Sequence, residues 1–272
     1  MLVASAVSAS SDIIGNETTL GMSGMLRRDA ACYVSQASSC AAATYSREFN
    51  ESMSQLILAS ASPRRAELLR NAGVSFVVEP AEVDESRQPG EAPVNYARRL
   101  ANEKARAIAA TRPADFVLGA DTVVSVEEQV LGKPSDAADA ARMLKLLSGR
   151  RHLVTTAVCL IAPEVPSSSI EVSDGPRETR NSKSETSLED VRHETTEVFF
   201  RPLSNDDIRW YIATGEPMDK AGAYGIQGGA SRWIEKIVGG YFNVVGLPVP
   251  LVLKMLEENG FTLPVSSLRE GT

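Results

Sequence analysis

The 272-residue chain has only two histidines, His152 and His193, and three cysteines, Cys32, Cys40 and Cys159. An odd cysteine count with no CxxC pair argues against a disulfide framework and makes a reducing, cytoplasmic setting the expectation. A zinc site of nitrogen and sulfur ligands has almost nothing to draw on. Any metal is then held by carboxylate, phosphate and water oxygens, which points to Mg²⁺ or Mn²⁺. No run approaches the roughly 18 apolar residues that span a bilayer, so no membrane role is expected. Positive charge is short as well: 28 Lys and Arg stand against 35 Asp and Glu, a net charge of −7. That disfavours a nucleic-acid binder, which needs a basic face, but leaves room for a small basic pocket. GxGxxG is absent. Gly132-Lys133-Pro134 resembles the end of a Walker A motif but carries proline where Ser or Thr is required. Neither a P-loop NTPase nor a Rossmann dehydrogenase is supported, and Lys133 is left as a lone phosphate contact.

Hydrophobic residues make up 43% of the chain, enough for a sizeable core. Residues 1–52 are Ser/Ala-rich without periodicity and read as a disordered tail or a start placed too early, with Met53 as the candidate true start. Residues 163–193 hold seven serines and no aromatic residue. Such a composition buries too little to order itself. It reads as a low-complexity loop insertion between two paired strands, within a single catalytic domain over 53–272.

Inside that domain strands alternate with helices, which argues an α/β fold. Strands are expected at 55–59, 74–78, 116–118, 122–126, 153–161, 195–200 and 234–238. The residues Gly119–Asp121 read as a break. Helices are expected at 63–71, 94–110, 135–147, 204–214 and 248–259. Asp136 and Asp139 fall in the first turn of one helix, and Ser204 opens another with a Ser/Asp capping pattern.

Five groups of residues carry chemistry. Ser60-Ala61-Ser62-Pro63-Arg64-Arg65 links a strand to a helix. Ser62 suits the cap and Pro63 the first helical position. Two arginines in the first turn oppose the helix dipole, and a bound anion would reverse that sign. The two hydroxyls and two guanidinium groups are therefore read as a phosphate site. Lys104 falls inside the apolar stripe of its helix, as a snorkelling residue or as a lysine reaching into a cleft. Asp121 follows an apolar strand and Gly119, placed to bind a metal or act as general base. Asp84 and Glu85 supply further carboxylates. Finally, Asp219 to Gly229 contains four glycines that let backbone approach a ligand closely, with Tyr224 and Gln227 available to a base. His152 and Trp210 read as structural. Together these suggest hydrolysis or transfer at a nucleotide phosphate.

The same residues resemble the Maf family of nucleotide pyrophosphatases. The resemblance runs from Leu56 to about Leu256 through LASASPRRAELL, EKARA, LGADTVV, LGKP, SGRRHLVTTAV and EPMDKAGAYGIQG leading into VVGLP. It implies an elongated mixed sheet flanked by helices with a central cleft, similar to inosine-triphosphate pyrophosphatases. It implies hydrolysis of a nucleoside triphosphate to monophosphate and pyrophosphate, in the subgroup acting on dTTP and UTP. On that basis Asp121 is the proton acceptor, and Arg64, Thr122 and Gln227 govern substrate choice. Ser60, Ser62, Arg65, Lys104 and Lys133 hold the triphosphate, and Glu85 with Asp121 binds a divalent cation. The partner implied is the nucleotide, with no nucleic acid or membrane, and a homodimer is allowed for. The alternatives are a nucleotide-binding regulator of septum formation and a pyrophosphatase for modified bases such as 7-methyl-GTP.

Overall fold

The computed structural model describes residues 54–163 and 189–263. The expected tail over 1–52 and most of the expected insertion lie outside these residues. Among the described residues the elements run β1 (Leu56–Ala59), α1 (Pro63–Asn71), β2 (Val77–Val78), α2 (Pro93–Ala109), β3 (Phe116–Val126) and β4 (Gln129–Leu131). They continue as α3 (Ala137–Leu147), β5 (Arg151–Ile161), β6 (Glu189–Phe200), α4 (Asn205–Ala213), β7 (Ile234–Val238), α5 (Tyr241–Val245) and α6 (Val249–Glu258). Three short 3₁₀ segments, Glu216–Asp219, Ala221–Ala223 and Gly229–Trp233, lie between α4 and β7.

The strands form one mixed sheet in the order β2-β1-β3-β5-β6-β7, with β4 paired to β3. β1 runs parallel to β2 and β3, and the β3-β5-β6-β7 ladders are antiparallel. β1 is apolar on both faces, as a covered parallel strand must be. Leu56 and Leu58 pack with residues of α1 and α6, while Ile57 and Ala59 pack with Ala97, Ala101 and Ala105 of α2. A further cluster joins Val124, Leu131, Leu144, Val154, Tyr211 and Trp233.

Helix α1 has the expected bounds, and α4 opens with the full reciprocal Ser204–Asp207 capping box. Asp136 is the cap of α3 itself, its carboxylate accepting from the Asp139 amide at 2.7 Å. Other expectations are corrected. β3 has no break at Gly119–Asp121: its ladder to β5 is continuous from Val117 to Ser125. Glycine there serves close helix packing rather than a turn. β2 shrinks to two exposed residues on the sheet edge. β6 begins at Glu189, so the last five residues expected as loop are strand. They are exposed or half-buried, and their ladder with β5, down to Ile161 opposite Glu189, fixes them with Val191 alone packing against the apolar cluster under α2.

β1 last pairs with β3 at Ala59 opposite Gly119. β3 is then unpaired on that side until β4 joins it at Val124, so Asp121 and Thr122 stand beside the turn where Ser60 leaves β1 and α1 begins.

Candidate active site

Helix α2 lies flat on β3 because its contact residues are small. A Cβ on Gly119 would stand 2.2 Å from the Ala101 carbonyl oxygen and 2.7 Å from the Ala105 nitrogen. This close approach carries Lys104 onto Asp121. The Lys104 ammonium lies 2.8 Å from Asp121 Oδ1 and 2.7 Å from Glu85 Oε1. Lys104 and Asp121 are buried, at 8% and 9% exposure, so this lysine does not snorkel. Tyr96 holds the Glu85 segment by donating its hydroxyl to the Glu85 carbonyl at 2.6 Å. The neighbouring Asp84 instead caps its own turn, accepting from the Ser86 amide at 2.9 Å.

Arg65 forms the second half of the site. Its Nε donates to the Gly246 carbonyl at 2.8 Å, and its two terminal nitrogens donate to Ser60 Oγ and Thr122 Oγ1, each at 3.0 Å. Three of the five guanidinium N–H groups are thus spent inside the protein. Thr122 sits in a proton chain whose direction can be deduced. Thr156 donates its hydroxyl proton to the Asn243 carbonyl at 2.8 Å, so Thr122 must be the donor in the 3.0 Å Thr122–Thr156 bond. The buried Asn243 side chain also accepts from the Thr156 amide and donates to the Val154 carbonyl and to Thr196.

The electrostatics follow from burial. Loss of water pushes the Asp121 carboxyl above its ordinary value, against the pull of Lys104 and Arg65. The hydrogen bond from Lys104 holds Glu85 below the usual carboxylate range, aided by the charges of Lys104, Lys133 and Arg65. Burial lowers the Arg65 guanidinium, opposed by Asp121 and Glu85. A raised carboxyl in contact with a cation is the setting of a proton acceptor.

Not every expected residue converges. Arg64 and Arg65 diverge rather than share one spot: Arg64 faces Asp219 at 3.8 Å, while Arg65 turns inward. The successive positions of a helix face different ways, which the charge pattern alone did not convey. Ser62 occupies the cap position of α1 without a side-chain cap bond, and its amide donates to Ser60 Oγ at 3.2 Å. Lys133 is exposed on a turn whose Gly132 carbonyl accepts from the Gly222 amide at 3.0 Å. Gln227 is exposed at the glycine-rich turn, but Tyr224 is not available to a base. It is buried, and its hydroxyl meets His152 Nε2 at 2.7 Å. The glycines also serve differently from expectation. Added Cβ atoms at Gly225, Gly228 and Gly229 would meet Lys220, Glu216 and Trp210, so the backbone approaches protein groups rather than open space. Trp210 is 44% exposed, with Arg232 over its ring at 4.5 Å.

Sequence reasoning missed Thr156, Asn243 and the Gly246 carbonyl. The only signal was an asparagine within the apolar run Phe242–Val245. It also missed Glu216, whose carboxylate accepts from the Gly229 amide and the Tyr211 hydroxyl.

Among the described residues no group of three His, Cys, Asp or Glu side chains converges as a metal cage. Asp121 and Glu85 converge as a pair on Lys104. Two hard oxygen donors suit a Mg²⁺-type ion that completes its shell with phosphate and water. Charge balance points the same way. Arg65 and Lys104 are already offset by Asp121 and Glu85, so they do not by themselves neutralise a triphosphate.

A family model described as Maf-like protein matches residues 55–259. A dTTP/UTP pyrophosphatase of Koribacter versatilis (strain Ellin345) is 53% identical over 205 residues, 75% of this chain and 94% of that protein. One of Symbiobacterium thermophilum, with the same description, is 48% identical over 211 residues, covering 78% and 97%. The solved structure of the Staphylococcus aureus Ham1 protein aligns with a TM-score of 0.39 at 14% identity, covering 75% of this chain and 98% of that one.

Proposed function

This chain belongs to the Maf family, and we propose that it hydrolyses dTTP and UTP to the nucleoside monophosphate and pyrophosphate. The observation that carries this reading is the buried Lys104 bridging Asp121 and Glu85 beside Arg65. It supplies a proton acceptor, cations for phosphate and a carboxylate pair in one place.

The triphosphate lies along Ser60, Ser62 and the first turn of α1, with Arg65, Lys104 and Lys133 as its cations. Water attacks the α-phosphorus, its proton passes to the Asp121 carboxylate, and the bond to the bridging oxygen breaks to release pyrophosphate. Raising the Asp121 carboxyl by burial strengthens its hold on that proton. A divalent cation, Mg²⁺ or Mn²⁺, would be held by Asp121 and Glu85; when bound it offsets phosphate charge and polarises the reacting phosphoryl group. Its charge is needed because a nucleoside triphosphate brings about four negative charges to cations that are already paired. Arg64, Thr122 and Gln227 select the substrate. Uracil and thymine share a carbonyl/N–H/carbonyl edge, and the Gln227 amide can answer it with one donor and one acceptor. Thr122 has its proton committed to Thr156, so it meets a substrate as an acceptor.

The test is pyrophosphate release from dTTP, UTP, CTP, dATP, GTP and 7-methyl-GTP, with Mg²⁺, with Mn²⁺ and with chelator. The expected result is metal-dependent release from dTTP and UTP. Nucleotide binding without release from any of them would overturn the reading in favour of a regulator. Release from 7-methyl-GTP alone would move the chain to another base specificity.

A further inference from the structure

We propose that Glu216 is a positioning residue for base recognition: its carboxylate fixes the Gly225–Gly229 turn and thereby the place where Gln227 meets the base. This rests on the Gln227 reading given above. The carboxylate occupies the inside of the turn. Its Oε2 accepts from the Gly229 amide at 2.9 Å, and its Oε1 accepts from the Tyr211 hydroxyl at 2.8 Å. The Tyr211 oxygen in turn accepts from the Gly225 amide at 3.1 Å. One side chain therefore holds both ends of the segment that carries Gln227, directly at Gly229 and through Tyr211 at Gly225.

The turn's composition fits this arrangement. A Cβ on Gly228 would lie 1.7 Å from Glu216 Oε1, so only glycine leaves room for the carboxylate. The turn is closed on itself by the Gly228 amide, which donates to the Gly225 carbonyl at 3.1 Å. Glu216 is itself anchored, since the Lys220 ammonium donates to its carbonyl at 2.8 Å and to Asp219 Oδ1 at 2.6 Å. Asp219 faces Arg64 across 3.8 Å, so the anchored segment adjoins a second residue assigned to substrate choice. Tyr211 is fully buried and packs edge-on against Trp233 at 5.1 Å, which gives the device a rigid base. None of these groups reaches Lys104 or Asp121 by a hydrogen bond among the described residues, so the turn can be perturbed apart from the phosphate site.

Replacing Glu216 by Gln keeps the shape but cannot accept at both oxygens, because one end becomes an NH₂ donor. Steady-state kinetics on UTP, dTTP and CTP, with amide hydrogen exchange on the free enzyme, test the idea. In Glu216→Gln the KM for UTP and dTTP should rise about tenfold, as expected for one lost charge-assisted hydrogen bond. Turnover at saturation should hold within about threefold, and the preference for UTP over CTP should fall. Tyr211→Phe, which retains the buried ring, should move selectivity in the same direction. Gln227→Ala should add no further loss of selectivity in the Glu216→Gln background, since both changes remove one function. Exchange at Gly225 and Gly229 should accelerate in both position variants. An equal loss of kcat/KM for UTP and CTP, additive selectivity losses, or unchanged exchange at the two glycines would each overturn the proposal. Absence of pyrophosphate release by the unaltered protein would instead count against the activity, with the exchange measurement still deciding whether Glu216 holds the turn.

Discussion

Gly119→Ala puts the packing of α2 on β3 to a direct test, because the added methyl group meets backbone rather than a side chain that can turn away. Its Cβ would stand 2.2 Å from the Ala101 carbonyl oxygen, 2.7 Å from the Ala105 nitrogen and 2.9 Å from the Ala105 Cβ. Restoring ordinary contact requires α2 to retreat by about 1 Å. That retreat opens the packing around Ala97, Ala101 and Ala105, all fully buried. Overpacking of this kind costs about 1–3 kcal/mol, and contact with two backbone atoms argues for the upper end. The same retreat lengthens the 2.8 Å Lys104–Asp121 contact toward 4 Å, about the limit of an ion pair. A misplacement of about 1 Å among reacting groups can cost on the order of 100-fold in rate. Urea unfolding should therefore show a lower midpoint with an unchanged slope, and pyrophosphate release should fall by about two orders of magnitude at temperatures where the variant is folded. A variant with wild-type turnover and a loss of unfolding free energy under about 0.5 kcal/mol would refute the view that α2 and β3 set the Lys104–Asp121 distance.

Three further outcomes are expected. Asp121→Asn, which keeps the shape but accepts no proton, should reduce turnover by about 10²–10⁴-fold while nucleotide binding, read by calorimetry, changes little; near-normal turnover would remove it as the proton acceptor. His152, whose imidazole burial pulls down to about 3 from 6.5, stays neutral in the fold while the unfolded chain takes up the proton. Stability should therefore fall as pH drops from 6.5 toward 3, by about 2 kcal/mol at pH 5, and His152→Gln should flatten that slope in denaturant titrations at a series of pH values; an unchanged slope would show that His152 is not the source. Thr156→Val removes the acceptor of the Thr122 proton and the donor to the Asn243 carbonyl. It should cost about 1–3 kcal/mol in urea unfolding and raise KM more than it lowers kcat, whereas wild-type kinetics would detach this chain of bonds from the site.

Arg65, Lys104 and Asp121, which the structure brings together, are legible because each sits in a local motif with a local reason. Lys104 could be placed by helical spacing alone, since a lysine between Leu100 and Ile108 on an apolar stripe must be either snorkelled or paired. The bounds of α1 follow from Pro63 and the following glycine at Gly73. What escaped the sequence depends on distant approach. Gly119 looks like a strand break by composition, and only the smallness of Ala97, Ala101 and Ala105 on another element explains it. Tyr224 looks like a base contact because it shares the glycine-rich stretch with Gln227, but the β5–β6 ladder brings His152 and Phe200 onto it. β4 and α5 are too short for a periodic signal. Glu216 lies in an acidic, turn-forming stretch, where nothing local distinguishes a solvated carboxylate from one holding two ends of a turn.

The cost of the charges is itself an argument for their use. Lys104, Asp121 and Arg65 are each 9% exposed or less. Placing ions there carries a desolvation penalty of several kcal/mol per ion, only partly returned by pairing. The surroundings offer a cheaper solution. Lys104 is flanked on its helix by Leu100 and Ile108, and Asp121 on its strand by Ala120 and Val123, all buried. An apolar pair at 104 and 121 would satisfy the same packing with nothing to desolvate, and such replacements are often neutral or stabilising by about 1–4 kcal/mol. Removing Lys104 alone is the opposite case, because it leaves the Asp121 carboxylate buried without its nearest cation. A fold shaped for stability would therefore not hold this arrangement. The proposed role, taking a proton from water and lending two cations to an incoming phosphate chain, has no apolar substitute.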